Sequence, residues 1–311
     1  MPLATKSATL AIDSPLVGQR IDHCVQELVA LSRSQITGIF DHGCVQVNGA
    51  ICTQPAQRLA AGDRVEIKYD ANQRYHPKPK PRRSLGFEIV FEDKHLIVVN
   101  KPADLLTVPT VRAETNTLLH KVADYVQHVS KGRGAFTVHR LDRGVSGLLV
   151  LGKTQKIVRD LKDQFAASKP EREYLAIVVG HMERPAGTFE SLLATDKDLN
   201  RFSTENEAIG QLAITHYRVV SALRDTSLIQ VRLETGRRNQ IRVHFAEAGH
   251  PVLGDPRYRP AEAAHPHWPH KRLALHARLL AFEHPVTGHP LRFEAALPAE
   301  MERFISGAQR K

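Results

Sequence analysis

The sequence predicts an α+β protein in two parts, and three observations carry that expectation. Strand-like runs outnumber runs with helical spacing. The two kinds do not alternate regularly, as a parallel sheet with crossover helices would require, so a largely antiparallel sheet is expected. The chain, at 311 residues, is also longer than one typical domain of roughly 100–150 residues, and its composition breaks once, sharply. The break is Ala71 to Ser84, ANQRYHPKPKPRRS, where five Lys and Arg residues stand without an acidic one and three prolines alternate with other residues. Such a stretch cannot build a core. It reads as an extended, charged tether that divides a module at residues 1–70 from a body at residues 85–311.

In the first module, Ile21 to Leu31 places apolar residues at helical spacing, and Ser32 can cap a second short helix with Ile36 and Ile39 on one face. Gly43 ends that helix. Val45 to Val47 alternates as a strand, Asn48-Gly49 is a hairpin turn, and Gly62-Asp63 leads into a strand over Val65 to Ile67. In the body, strands are expected at Leu96 to Asn100, Gly147 to Leu151, Tyr174 to Val179, Tyr217 to Ala222, Leu228 to Leu233 and Leu291 to Ala295. Helices are expected at Thr117 to His128, Gln155 to Ser168, Arg237 to Ala248 and Pro298 to Gly307.

Forty-three Lys and Arg against thirty-three Asp and Glu give a net charge of +10 and a pI near 9.6. Such a surplus attracts polyanions, so RNA, DNA or an anionic membrane surface could answer it. The longest apolar runs fall far short of the roughly 20 residues that a membrane span needs, and the first fifteen residues lack the basic start and apolar core of a secretory signal. A cytosolic protein is therefore expected. Cys24, Cys44 and Cys52 are odd in number and have no CxxC spacing, which argues against a disulfide framework or a zinc site. His265, His267 and His270 crowd one segment, but Pro266 and Pro269 interrupt it and no cysteine or carboxylate cluster accompanies it, so no metal is expected there. Gly144-Val145-Ser146-Gly147 falls short of a hydrolase nucleophile elbow because Leu148 stands where the last glycine is required.

The densest chemistry lies in TVHRLDRGVSGLLVLGKT, residues 137–154. His139, two arginines and Asp142 sit immediately ahead of a glycine-flanked apolar strand, a way to fix a reactive carboxylate on a rigid element. Read from composition alone, the segment is more simply a surface ion-pair loop in which Asp142 pairs with Arg140 or Arg143.

Its wording closely resembles the catalytic motif of the RluA-type pseudouridine synthases. The likeness extends to FEDKHLIVVNKPADLLTVP from Phe91, to EREYLAIVVG from Glu171, to LETGRRNQIRVH from Leu233 with HPVLGD from His250, and to LHARLLAFEHPVTG from Leu275. It covers the body from about residue 85 to 300. GQRIDHCVQELVALSRSQITGIFDHGCVQVNG, from Gly18, resembles the S-four type of RNA-binding domain.

The resemblance implies a pseudouridine synthase fold with a mainly antiparallel mixed sheet, and an enzyme that detaches uracil from its ribose, turns it and rejoins it through carbon 5. Neither redox chemistry nor a cofactor is implied. Asp142 becomes the nucleophilic carboxylate, with attack on sugar, attack on base and assisted elimination all open. Arg242 is its expected guanidinium partner, with Arg237 as runner-up, and Tyr174 is the residue that meets the base. Arg140 is expected to help extrude the uridine and His139 to orient the loop, both within an RNA-contacting group that also includes Arg20, Arg33 and Arg237, with Arg58 a further candidate. Asn239 departs from the family, where histidine usually precedes Gln-Ile-Arg, and Arg172 replaces the family's lysine. Ribosomal RNA of the large subunit is the favoured substrate and transfer RNA stays open, with the chain acting as a monomer. The rival reading is a non-catalytic RNA-binding or ribosome-assembly protein, which would have no use for Asp142, Tyr174 and Arg242 together.

Overall fold

A computed structural model describes residues 5–73, 75, 85–129, 134–269 and 271–309. Most of the Ala71 to Ser84 tether therefore lies outside the described residues, as does His270. The chain divides into two compact units, residues 1–84 and 85–311.

The first unit folds β1 (Thr5–Ala11), α1 (Ile21–Leu28), α2 (Arg33–Asp41), β2 (Val45–Val47), β3 (Ala50–Ile51) and β4 (Arg64–Asp70) into a four-stranded sheet of order β1-β4-β2-β3, with all pairs antiparallel. Ser32 caps α2 in a reciprocal box with Gln35, which satisfies two otherwise orphaned backbone donors. Asn48 and Gly49 both adopt positive φ, as a two-residue hairpin turn demands. Val25, Ile36, Ile39, Phe40, Val65 and Ile67 close the core, joined by Cys24 and Cys52 as small hydrophobes. β1 was not legible, because its alternation carries Lys6, Ser7 and Thr9 among few large apolar residues.

The second unit opens with β5 (Glu88–Glu92) and β6 (Leu96–Lys101), then α3 (Leu118–Val129), β7 (Phe136–Thr137), β8 (Ser146–Gly152), α4 (Gln155–Ala166) and β9 (Glu171–Val179). There follow β10 (Ala186–Thr195), β11 (Arg201–Thr204), β12 (Gln211–Ala222) and β13 (Thr226–Leu233). The chain closes with α5 (Gln240–Glu247), α6 (Pro260–Ala263), β14 (Leu275–Glu283), β15 (Pro290–Glu294) and α7 (Ala299–Gln309). One sheet results, of order β11-β10-β12-β13-β9-β14-β8-β6-β5, with β15 added to β14 and β7 to β8. Only the β14–β8 pair is parallel among the described strands, so the mixed, mainly antiparallel sheet expected from the sequence is present.

Helices cover both faces, which explains why β8 from Leu148 and β9 from Tyr174 run apolar rather than alternating. Leu149 and Leu151 of β8 face a core that includes Leu118 and Val122 of α3 and Phe245 of α5. Leu148 and Val150 face the opposite way, onto Ile157 and Leu161 of α4. α7 covers Leu175 and Ile177 of β9 with Met301 and Phe304. The four expected body helices are present, but α5 begins at Gln240 rather than Arg237. Asn239 is left-handed (φ 58°), and the Gln240 side chain folds back to accept from the Arg237 amide at 2.8 Å, which holds residues 237–239 out of the helix.

Gly147 is where the parallel pairing closes. Its φ is +118°, and a Cβ there would lie 2.2 Å from the carbonyl oxygen of Ala277 on the neighbouring strand. Backbone cannot yield to that clash. Gly147→Ala should cost more than about 3 kcal/mol, measured as a fall in the urea midpoint at unchanged slope; a loss below about 1 kcal/mol would show that the strands can separate there.

Candidate functional site

The Asp142 loop joins β7 to β8 and is clamped by the chain that follows β6. Thr107 donates its hydroxyl to the Leu141 carbonyl at 2.7 Å and accepts from the Leu141 amide at 3.2 Å. The Gly144 amide donates to the Ala103 carbonyl at 2.9 Å. Leu141 and Val145 are buried on either side, so two apolar anchors and three hydrogen bonds fix the loop while Asp142, with a side chain 18% exposed, stays open to a cleft. Tyr174, Arg140, Arg237, Arg238, Asn239 and Arg242 are among the residues that line this cleft, whose volume is about 130 Å³.

Arg242 enters from α5. Its Nε and Nη2 donate to the two carboxylate oxygens of Asp255 at 2.7 and 2.8 Å, a bidentate fork between groups 8% and 1% exposed. Its Nη1 is left for Asp142, at 3.3 Å from Oδ2, and for the Asn239 side-chain oxygen, also at 3.3 Å. The Tyr258 ring covers the guanidinium, 5.0 Å from its carbon. Burial opposes the charge of Arg242, yet the Asp255 hydrogen bonds and the charges of Asp255 and Asp142 more than offset it and raise its pKa above the ordinary arginine value. Asp255 is itself oriented by the amides of Arg257 and Tyr258. Gly254-Asp255 thus forms an anchor for the guanidinium.

Tyr174 lies in the middle of β9, opposite Val231 and Ala277, and is 8% exposed. Burial, reinforced by the charge of Asp142 and opposed by that of Arg172, pushes its phenol pKa up. It is therefore a protonated phenol at neutral pH. Arg140 is exposed at the cleft and has no ion-pair partner among the described residues, and Arg237 donates its Nε to the Leu212 carbonyl at 2.9 Å.

His139 is not brought to the cleft. Its ring stacks on Phe165 with centroids 4.7 Å apart, and its Nε2 accepts from the Val150 amide at 3.2 Å, so it props the loop against β8. Arg172 lies on the same side over Phe165, with Nη2 bonded to the Glu234 carbonyl. In the first unit, Arg20 is engaged by Asp22 at 2.7 Å, Arg58 donates to the Gly18 carbonyl, and Arg33 is an exposed residue at the start of α2.

Four contributors were not assigned from the sequence. Asp255 and Tyr258 lie thirteen or more residues beyond Arg242, and of these two Asp255 stands within a segment that resembles the family. Thr107 and Lys101 belong to the Lys-Pro segment. Lys101 is fully buried, donating to the carbonyls of Pro102 and Leu105 at 2.9 and 2.7 Å. Burial, then the charge of Arg272, lowers its pKa to about 7. A larger cavity of about 700 Å³ lies beside it, lined by Ser146, Arg272 and His276, but it does not contain Asp142. Its size does not outweigh the absence of the carboxylate.

The comparisons with known proteins agree with this geometry. A family model described as RNA pseudouridylate synthase matches residues 95–247, and a model of the S4 domain matches residues 19–65. The chain is 34% identical over 310 residues to a ribosomal large subunit pseudouridine synthase D of Zymomonas mobilis, covering 96% of each. It is 32% identical over 314 residues to a protein of the same description from Escherichia coli, covering 96% of this chain and 93% of that one. A solved human structure, RNA pseudouridylate synthase domain containing 4, superposes with a TM-score of 0.58 at 22% identity, over 69% of this chain and 90% of the other, and shares the fold. The chain belongs to the RNA pseudouridine synthases, with an S4 domain at its N-terminal side. It is an RNA-modifying isomerase.

Burial holds the His139 pKa near 3, with the charge of Arg172 adding to the effect, and burial likewise holds His276 near 4. Below pH 6.5 these rings take up protons in the unfolded chain but not in the folded one, so stability should fall as pH drops from about 6.5 towards 4. Urea denaturation across that range measures it. His139→Gln, which cannot protonate, should make the slope shallower; an unchanged slope would mean that His139 is not held neutral by the fold.

Proposed function

We propose that this chain isomerises uridine in ribosomal RNA of the large subunit, as a monomer, with Asp142 as the carboxylate that acts on the reacting nucleoside. The observation that carries the assignment is the sharing of Arg242. Asp255 fixes the guanidinium in place, and the remaining nitrogen faces Asp142. A carboxylate at a water-poor site needs such a partner to hold charge in position, since burying it alone would be costly.

The reaction breaks the bond between N1 of uracil and C1′ of ribose, forms one between C5 and C1′, releases the C5 proton and returns a proton to N1. Atoms balance without a cofactor. Tyr174, protonated and packed in β9, would lie against the face of the base. If it takes the C5 proton, its own phenol proton must leave in the same step, and N1 of the detached uracil, which gains a proton in the overall reaction, is the group able to accept it. Arg140 is free at the cleft mouth to fill the space that an extruded uridine leaves, which offsets part of the unstacking cost of a few kcal/mol. His139 acts at one remove, by propping the loop. The large-subunit substrate follows from the names of the two relatives, ribosomal large subunit pseudouridine synthases, which align over nearly the whole chain including the S4 domain. The compartment this substrate implies is the cytoplasm.

Asp142→Asn should abolish pseudouridine formation, by at least about 10³-fold, while RNA binding stays within a few-fold. Mapping pseudouridine in cells with and without the gene should show a site lost from large-subunit RNA. A loss confined to transfer RNA would overturn the substrate assignment, and an active Asp142→Asn enzyme would overturn the role of the carboxylate.

A further inference from the structure

A second cluster of charge adjoins the Asp142 cleft and shares Arg237 and Arg238 with it. Arg201, Arg237, Arg238 and Arg257 converge where the turn between β10 and β11 meets the residues ahead of α5 and those after Asp255. Arg238 and Arg257 both donate to the Leu199 carbonyl, at 2.7 and 3.0 Å, and Arg257 also donates to the Asn200 side-chain oxygen at 2.9 Å. Arg201 donates to the Thr195 hydroxyl and the Gln211 amide oxygen, and Arg237 to the Leu212 carbonyl. Every one of these acceptors is neutral.

No member of the four is in an ion pair among the described residues. Five arginines of the same unit are paired with carboxylates, Arg242, Arg259, Arg272, Arg278 and Arg292, while others are not, so what sets these four apart is that they lie together, with Arg238 and Arg257 on one shared carbonyl oxygen. The carboxylate that feels Arg257 is Asp196, and both of its oxygens are occupied by Asn200 within the turn. Arg201 is left with a buried Nε that has no hydrogen-bond partner. Burial lowers its pKa, and the neighbouring charges of Arg238 and Arg237 lower it further. A fold that pins guanidinium groups side by side on carbonyl oxygens, beside a carboxylate whose own oxygens are taken up by Asn200, keeps the remaining donors of Arg238 and Arg257 for an anion from outside.

We propose that Arg201, Arg238 and Arg257 form a cradle for a phosphodiester of the substrate RNA, gripping the strand next to the nucleotide that enters the Asp142 cleft. Arg238 and Arg237 line both the cleft and this cluster, so one continuous surface holds the target base and its neighbouring backbone. Tyr258 ties the two together: its hydroxyl accepts from the Arg201 amide and from the Asn239 side chain, each at 3.0 Å, while its ring covers Arg242. The residue that departs from the family, Asn239, is thus a link between cradle and cleft. The cradle rests on the reading of the Asp142 cleft as the uridine site, but it is tested by binding, which Asp142→Asn leaves measurable.

The test is equilibrium binding of the full chain to an in vitro transcript of large-subunit ribosomal RNA over a range of salt concentrations. The double variant Arg238→Gln with Arg257→Gln should weaken binding about tenfold or more at 0.15 M salt and reduce the slope of log affinity against log salt by about one to two, the slope carried by each phosphate contact being close to one. The corresponding lysine variants, which lose the fork but keep the charge, should retain the wild-type slope; loss of the slope there too would assign the arginines to holding the turn and overturn the cradle. Arg292→Gln, an ion-paired arginine on β15, should match wild type. Affinity within twofold and an unchanged slope in the double glutamine variant would also overturn it. So would protection of wild type alone against heat by 10 mM inorganic phosphate with no change in RNA affinity between the proteins, since the cradle would then serve a free anion.

Discussion

One buried guanidinium, shared unequally between two carboxylates, is the constraint on which this molecule is built. Arg242 is bound in bidentate fashion to Asp255 and only through Nη1 to Asp142. The inequality matters. A fork made with Asp142 itself would consume both oxygens of the carboxylate proposed to meet the nucleoside, whereas a fork made with Asp255 leaves Asp142 with one oxygen that has no hydrogen bond among the described residues. Removing one partner from such a buried pair typically costs several kcal/mol, so Asp255 stabilises the fold and orients the arginine at the same time.

Around that pair, the fold supplies rigidity from independent directions. The parallel register of β8 and β14, possible only because Gly147 has no side chain, sets where the Asp142 loop ends. Thr107 and Ala103 hold the loop from the Lys-Pro side, with Lys101 stitching that segment to its own carbonyls. Gln240 pins the residues before α5 onto β12 through Ile214 and Thr215, so Arg242 is presented by a helix whose first turn is immobilised. Asp142 is on a loop, Tyr174 on a strand and Arg242 on a helix, and the loop and the helix are each tied down by hydrogen bonds to their neighbours.

How much of this could be read from the sequence depended on whether the signal was local. The helices α2, α3 and α4, the hairpin at Asn48-Gly49 and the long apolar strands declared themselves through period and cap. β10 and β11 did not, since Glu190, Ser191 and Ser203 interrupt their apolar pattern to serve α5: Ser191 meets His244 and Ser203 meets Glu247. The start of α5 was placed three residues early because the left-handed Asn239 breaks the helix in a way that spacing alone does not show. The cleft residues Asp142, Tyr174 and Arg242 were identified by resemblance and not by composition. Asp255 and Tyr258 act on Arg242 only because the chain folds back, which is a tertiary fact. His139 is expected from the resemblance to orient the loop, and its ring stacks on Phe165 with Nε2 on the Val150 amide, away from the cleft.

The central claim is that Arg242 acts by geometry as well as by charge, since its fork on Asp255 is what leaves Nη1 facing Asp142. Arg242→Lys keeps the charge and abolishes the fork. Single-turnover rates of pseudouridine formation, on RNA held at saturation, measure the consequence directly. The account predicts a loss of at least about 100-fold, equivalent to about 2.7 kcal/mol of transition-state stabilisation, with RNA affinity within a few-fold of wild type. A lysine variant that reacts within threefold of wild type would contradict it.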